Sequence, residues 1–219
     1  MGTITIVGLG YEEKQLTLEA AELLESGLAK PEDVKPFAGK IRAESGRMTK
    51  LVEDIIDLTR LDAGGEDYVF ESCDLLRIAE NAVDSLETEA AGASVTLALK
   101  GVSAPMQGVP QLLHSIVYNL CDNAIKYNRP GGRVDITVTP EDGAVVLTVS
   151  DTGVGIPKDS QSRIFERFYR VDKSRSKAVG GTGLGLSIVK HAALIQKADV
   201  RVESEPGEGS TFTVTFPEK

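Results

Sequence analysis

Between Pro36 and Asp62 the apolar residues Ile41, Met48, Leu51, Ile55 and Leu58 fall at heptad positions, with Glu44 interrupting the series. The repeat runs through a background of Lys, Arg, Glu and Asp, which predicts a helix that offers one seam to a partner helix. Upstream, residues 1–10 alternate like a short strand ending in Gly8 and Gly10, and Leu16–Leu24 reads as helix from propensity. Pro31 and Pro36 end that first element and start the heptad helix. The run Asp62-Ala-Gly-Gly65 breaks it and marks the domain junction.

Beyond the junction the period changes repeatedly. Tyr68–Ser72 predicts a strand, and Asp74 stands where a carboxylate favours the next helix start. That helix is expected from Leu75 to Ala91, with Leu76, Ala79, Val83 and Leu86 on one face; Ser94–Leu99 then alternates as a strand. Pro110 opens a long helix, a usual place for proline. Arg133–Thr139 and Ala144–Ser150 predict a hairpin across residues 141–143. A short helix is expected over Ser162–Phe168 and a longer one from Leu184 to about Gln196. Val200–Ser204 and Thr211–Phe216 pair around Pro206-Gly-Glu-Gly209. Val171–Val179, rich in Lys, Arg and Ser without an apolar period, reads as a mobile lid.

Composition changes this picture little. Of 219 residues, 41% are hydrophobic and 26% charged, the profile of a soluble globular chain. A net charge of −9 argues against nucleic acid as a partner, since such binding rests on phosphate neutralisation. No stretch approaches the roughly eighteen apolar residues of a membrane span, and the N-terminus lacks the basic start of a signal peptide. Cys73 and Cys121 have no metal or redox spacing, which suits buried, reduced thiols in a cytoplasmic protein.

The chemistry concentrates in three runs. In Asn119-Leu-Cys-Asp-Asn123-Ala-Ile-Lys126-Tyr127, the side chains of Asn119, Asn123 and Lys126 fall at i, i+4 and i+7 and share one helix face. Amide oxygens and one ammonium on a line suit a Mg²⁺–phosphate pair. The second run, Asp151-Thr-Gly153-Val-Gly155-Ile156, follows an apolar strand. Its carboxylate can accept a hydrogen bond from a flat ligand that the glycines let approach. The third, Gly180-Gly181-Thr182-Gly183-Leu184-Gly185-Leu186, is a glycine loop running into a helix, whose free N–H groups can face phosphate oxygens.

These runs resemble the N, G1 and G2 boxes of the sensor histidine kinase catalytic domain, within the ATPase superfamily shared with gyrase, the Hsp90 chaperones and MutL. Arg163-Ile-Phe165-Glu-Arg-Phe168-Tyr-Arg170 resembles the F box between G1 and G2, and the resemblance runs from about Lys30 to Pro217. It implies an α+β fold: a two-layer sandwich with a mixed, mostly antiparallel sheet and helices on one face, preceded by a helical dimerisation hairpin. It divides the chain into a short strand and helix over 1–25, a partial hairpin over 26–64 and the ATP-binding domain over 65–219.

The same resemblance implies ATP and Mg²⁺ as cofactors and assigns roles. Asp151 accepts the adenine amino hydrogen, Asn123 ligates Mg²⁺ with Asn119 beside it, and Lys126 and Arg170 meet phosphate oxygens. Asn123, Lys126 and Arg170 thereby carry the catalysis. Tyr127, Ile156 and Thr211 line the nucleotide pocket; Phe165 and Phe168 serve as lid anchors or nucleotide contacts. Gly153, Gly155, and Gly180 through Leu186 complete the site. Implied partners are a response regulator receiver domain and a second copy of the chain, joined through the 36–61 helix.

Three departures qualify the resemblance. The family's phosphoacceptor histidine lies near the start of the first hairpin helix; here no histidine precedes His114, so no phosphoacceptor is assigned. His114 and His191 read as structural. Gly108-Val109 replaces a common glycine–acid pair, and Lys197-Ala198 stand where two glycines are usual, a change expected to cost stability rather than activity. Residues 1–25 are similar to the opening of a tetrapyrrole methyltransferase, and nothing downstream continues that likeness. Three functions remain open: a histidine kinase core of a two-component system, with self-phosphorylation doubtful; a nucleotide-gated binding module without turnover; and an anti-sigma-type serine kinase. The chain is expected to be a fragment or truncated relative of a longer, membrane-linked kinase.

Overall fold

The computed structural model describes residues 11–62, 68–141, 143–171 and 181–217. The expected strand over 1–10, the Gly-Gly junction and most of the lid lie outside these. The chain divides into two compact units, one ending at Val52 and the other beginning at Glu53.

The first unit holds α1 (Tyr11–Glu25) and most of α2 (Pro31–Asp62), linked by a turn. Helix α1 begins five residues ahead of the propensity-based start. Pro31 opens α2, where its missing N–H is no loss, and Pro36 sits inside the helix instead of starting it. The heptad pattern is met by one continuous helix on which Met48, Val52 and Ile55 stay exposed.

The second unit contains the last turns of α2 and an α+β sandwich. Its elements are β1 (Glu71–Asp74), α3 (Leu75–Asp84), α4 (Glu87–Gly92), β2 (Thr96–Gly101), β3 (Pro105–Gly108) and α5 (Pro110–Lys126). There follow β4 (Arg133–Glu141), β5 (Ala144–Asp151), α6 (Lys158–Gln161), α7 (Gly185–Ile195), β6 (Asp199–Glu205) and β7 (Gly209–Pro217). Five strands form one sheet in the order β2-β4-β5-β7-β6, while β1 and β3 pair separately. Only the β2–β4 pair of the large sheet is parallel.

Alternation along the strands decides which face is covered. Val134, Ile136 and Val138 of β4, Leu147 and Val149 of β5, and Val214 and Phe216 of β7 are buried, with half-buried or exposed residues between most of them. Against them pack Leu113, Ile116, Val117 and Leu120 of α5 and Ile188 and Val189 of α7, all buried. Each such side chain removed from water contributes about 1.5–3 kcal/mol, and this layer holds α5 against β4 and β5 and α7 against α5 and β6. Asp74 caps α3 as its position suggests, accepting from the Leu76 N–H at 3.0 Å. A hydrogen bond from the Ser103 hydroxyl, with help from backbone N–H groups, holds the Asp74 carboxyl below the usual range.

Several elements differ from expectation. The 75–91 helix is broken in two: the Ser85 hydroxyl turns back onto the Ala82 carbonyl at 2.7 Å, and fully buried Leu86 leaves the helical conformation at φ −104°, ψ 0°. The first strand starts at Glu71, not Tyr68, because its partner is β3, a four-residue strand without an apolar alternation that could announce it. Residues 162–168 form successive turns, and the short helix lies just before them at α6. Cys121 is buried, as expected, and burial pushes its thiol up to about 12; Cys73 is only half-buried.

Candidate functional site

Helix α5 delivers Asn119, Asn123 and Lys126 along one face. Asn119 is buried, and its amide N–H₂ donates to the Ser115 carbonyl at 2.8 Å, which leaves its oxygen directed outward from the helix. A Cβ on Gly185 would stand 2.9 Å from that Oδ1 and 3.5 Å from the Asn123 amide nitrogen. The first turn of α7 therefore lies directly on the two asparagines, and a side chain at Gly185 would push the Asn119 amide aside. The Asn123 side chain makes no hydrogen bond among the described residues. Lys126 pairs with Asp122 one turn back, Nζ to Oδ2 2.6 Å, so its ammonium is held at the helix end.

Tyr127, the C-cap of α5, joins the two glycine runs. Its carbonyl accepts from the Val154 N–H at 3.1 Å, and a Cβ on Gly153 would lie 2.5 Å from that oxygen. Its hydroxyl lies 3.3 Å from where a Cβ on Gly181 would stand. Asp151 ends β5, and its Oδ1 accepts from the Gly153 N–H at 2.7 Å. Burial pushes the Asp151 carboxyl above the usual range, against backbone hydrogen bonds from Gly153 and Ser210 that pull it down. Gly155, at φ +69°, abuts the Glu205 carbonyl, and Ile156 donates to the Ser204 hydroxyl at 2.8 Å.

The F-box run closes the other side. The Phe168 N–H donates to the Gly183 carbonyl at 2.9 Å, with Phe168 at φ +62° and its ring exposed. Phe165 packs edge-on against Phe212, 6.5 Å between centroids, as a core anchor. Arg170 reaches under Gly183, and its Nε and Nη2 are buried without a hydrogen-bond partner. These two donors are open to an anionic acceptor.

Two expected residues stand elsewhere. Thr211 is in register with Ser150, hydroxyl to hydroxyl 2.9 Å, on the sheet face opposite Asp151; the pleat puts buried Ser210 across from Asp151. Thr182 is buried, and its hydroxyl donates to the buried carboxylate of Asp54 on α2 at 2.6 Å instead of facing the open loop. Leu184 is fully buried and half-buried Leu186 opens α7, so both serve the seating of the loop. Gly180 lies outside the described residues. Sequence reasoning missed Ser204, Ser210 and Gln161, whose Nε2 bonds the Ile156 and Ser204 carbonyls at 2.9 and 2.8 Å; only the sheet register reveals them. Among the described residues no group of three His, Cys, Asp or Glu side chains could hold a metal, and no helix is long and apolar enough to cross a membrane. A cation here would rest on the Asn123 amide oxygen and on ligand oxygens, a donor set that suits Mg²⁺. His191 binds the Ser187 carbonyl through Nδ1 at 2.7 Å, and His114 stacks on Tyr118.

Comparison with known proteins agrees with this geometry. Residues 108–219 match the family described as histidine kinase-, DNA gyrase B-, and HSP90-like ATPase. The sensor-like histidine kinase SenX3 of Mycolicibacterium smegmatis is 39% identical over 199 residues, covering 90% of this chain and 52% of that protein. Full-length ShkA in complex with AMPPNP superposes with a TM-score of 0.70 at 25% identity, over 96% of this chain and 46% of that one. Histidine kinase ThkA in complex with the response regulator protein TrrA gives 0.73 at 18% identity, over 95% and 58%, a likeness of fold. The chain spans about half the length of the curated relatives it matches.

Proposed function

The chain belongs to the histidine kinase-, DNA gyrase B-, and HSP90-like ATPase family, and from that membership we propose that it is the ATP-binding catalytic region of a sensor histidine kinase. The observation that carries this reading is that Nε and Nη2 of half-buried Arg170, beneath the Gly183 turn, are buried without a hydrogen-bond partner, beside a loop whose glycines lie close to Asn119, Asn123 and Tyr127. Charged donors turned away from water without a protein acceptor suit an anionic ligand, and a nucleotide phosphate supplies one.

In this reading Asp151 accepts the adenine amino hydrogen and Tyr127 and Ile156 wall the base. Arg170 and Lys126 hold phosphate oxygens, Lys126 by sharing itself with Asp122. Asn123 would hold Mg²⁺, and the bound cation would offset the charge of the phosphate groups. The loop from Gly181 to Leu186 would face the triphosphate, with Phe168 beside it. Phosphoryl transfer then asks the protein for positioning and charge stabilisation rather than covalent chemistry.

The recipient is a histidine outside this sequence, since His114 and His191 are held in structural contacts. Residues 26–64 act as a partial dimerising hairpin before a catalytic domain from 65, and Met48, Val52 and Ile55 along α2 support pairing of two copies. The phosphoryl group passes onward to an aspartate of a response regulator, by extension from the partnership of ThkA. A cytoplasmic setting follows from these partners.

Incubation with γ-labelled ATP and Mg²⁺, with and without a separate hairpin carrying the phosphoacceptor histidine, tests the reading. Acid-labile label on the added hairpin alone is expected. Label on this chain alone would make His114 or His191 an acceptor. Acid-stable label on a partner serine would mean a serine kinase. The lack of a histidine before His114 favours one rival, a nucleotide-gated binding module; bound ATP with no label in either tube would establish it. Asn123→Ala should weaken ATP binding about tenfold more with Mg²⁺ than in its absence, the loss of one ligand from a hydrated cation. Equal losses by calorimetry would remove Asn123 from the metal shell.

A further inference from the structure

Arg129 lies in the turn between α5 and β4, outside the motif runs. Its Nε donates to the Thr152 carbonyl at 2.8 Å, and its Nη2 donates to the carbonyls of Gly207 at 2.7 Å and Gly153 at 3.3 Å. One planar fork thus joins three segments: its own turn, the loop directly after Asp151, and the β6–β7 turn. The Gly207 N–H returns a bond to the Val154 carbonyl at 2.8 Å. The stem is fixed as well, since Asn128 Oδ1 accepts from the Arg129 N–H at 3.0 Å and from the Thr152 hydroxyl at 3.2 Å.

Peptide planarity makes this clamp consequential. The Thr152 carbonyl and the Gly153 N–H belong to one rigid amide plane. Arg129 holds the carbonyl end of that plane, and the N–H end donates to Asp151 Oδ1 at 2.7 Å. Holding one end sets the direction of the other, and with it the orientation of the carboxylate. Guanidinium suits the task because its donors are rigidly spread in a plane; an ammonium on a flexible stem offers a point charge.

We propose that Arg129 is a positioning residue for base recognition: through the Thr152–Gly153 peptide it aims the Asp151 carboxylate, and so sets the preference for a 6-aminopurine over a 6-oxopurine nucleotide. This rests on the reading of Asp151 as the acceptor of the adenine amino group.

Calorimetric titration of ATP and inosine triphosphate into the intact chain and its Arg129→Ala, Arg129→Lys and Asp151→Asn variants tests it. The unsubstituted chain should prefer ATP by roughly 10- to 100-fold, the range of a buried hydrogen bond satisfied in one ligand and unmet in the other. Arg129→Ala should reduce that preference about tenfold by weakening ATP binding while inosine triphosphate binds nearly as before. Arg129→Lys keeps the charge without the fork, should lose most of the preference too, and decides the matter if the alanine variant does not fold. A residue that merely braced the loop would weaken both nucleotides equally, and an unchanged ratio in a folded variant overturns the proposal. Retained preference in Asp151→Asn overturns the Asp151 reading and the proposal together; its loss there with an unchanged ratio at Arg129 overturns the proposal alone.

Discussion

Asp151→Asn should remove ATP binding while leaving the unliganded protein as stable as before. The substituted side chain keeps an oxygen for the Gly153 N–H, now 2.7 Å from Oδ1, and replaces the other carboxylate oxygen with an N–H₂ group. That group meets the adenine amino group donor to donor. Losing a charge-assisted bond and leaving a donor unmet costs about 3–4 kcal/mol, or roughly 10²- to 10³-fold in Kd by calorimetry. Stability moves the other way. Burial raises the Asp151 carboxyl above its ordinary value, so the folded state binds that proton more tightly than the unfolded one. Its stabilising effect is fully present below the ordinary carboxylate range and is lost as pH rises through the raised folded value. At neutral pH the ionised group is therefore a liability to the unliganded fold, one the amide avoids. The melting temperature of the variant should not fall at pH 7, and its stability should lack the decline across that window. Nucleotide affinity of the unsubstituted chain should weaken as pH drops through the same window, because the protonated carboxyl no longer presents two acceptors. Unchanged ATP affinity in the variant would place Asp151 outside the site.

Much of this site could be read from sequence because its parts are local. The i, i+4, i+7 spacing of Asn119, Asn123 and Lys126 needs only a helix to bring them to one face, and Pro110 with the apolar positions of α5 provides it. The glycine runs announce close backbone approach, and the approach is there: Gly185 against Asn119, Gly155 against Glu205. What stayed hidden depends on pairing between distant segments. Thr211 and Ser210 differ by one residue, and a one-residue difference in strand position exchanges faces; only the β5–β7 register shows that Ser210 stands across from Asp151. Strand β3 exists because β1 pairs with it, and nothing within Pro105–Gly108 alternates. Nothing in the helical pattern singles out Asp54, yet it is buried against Thr182, a bond spanning 128 positions. Arg129 lies just past Lys126 and Tyr127, and its three carbonyl partners belong to segments 23 to 78 positions away. Lys197, at φ +59°, holds a left-handed conformation that glycine adopts freely and a lysine rarely does.

Gly209→Ala should fail differently from Asp151→Asn, losing fold and binding together. Gly209 has φ +110°, and a Cβ there would stand 1.9 Å from the Asp151 carbonyl oxygen, 2.8 Å from its carbon and 3.1 Å from Thr152 Cα. All three are backbone atoms at the end of β5, where Asp151 pairs with Ser210, so no side chain can swing aside. Relief requires the strand pair to part at its last rung, which is the rung that carries the Asp151 carboxylate. Strained backbone of this kind costs about 1–3 kcal/mol, and the displaced pairing brings the total to roughly 3–5 kcal/mol. In a chain of this size that lowers the melting temperature by about 10 °C. Gly207→Ala separates the two contributions. At φ +88° it bears a similar conformational strain, but a Cβ there meets nothing within 4 Å. It should therefore melt within about 5 °C of the unsubstituted chain and retain ATP binding. Equal melting of the two variants would mean that strain alone governs position 209, and that the contact between β7 and Asp151 does not hold the adenine end of the site in place.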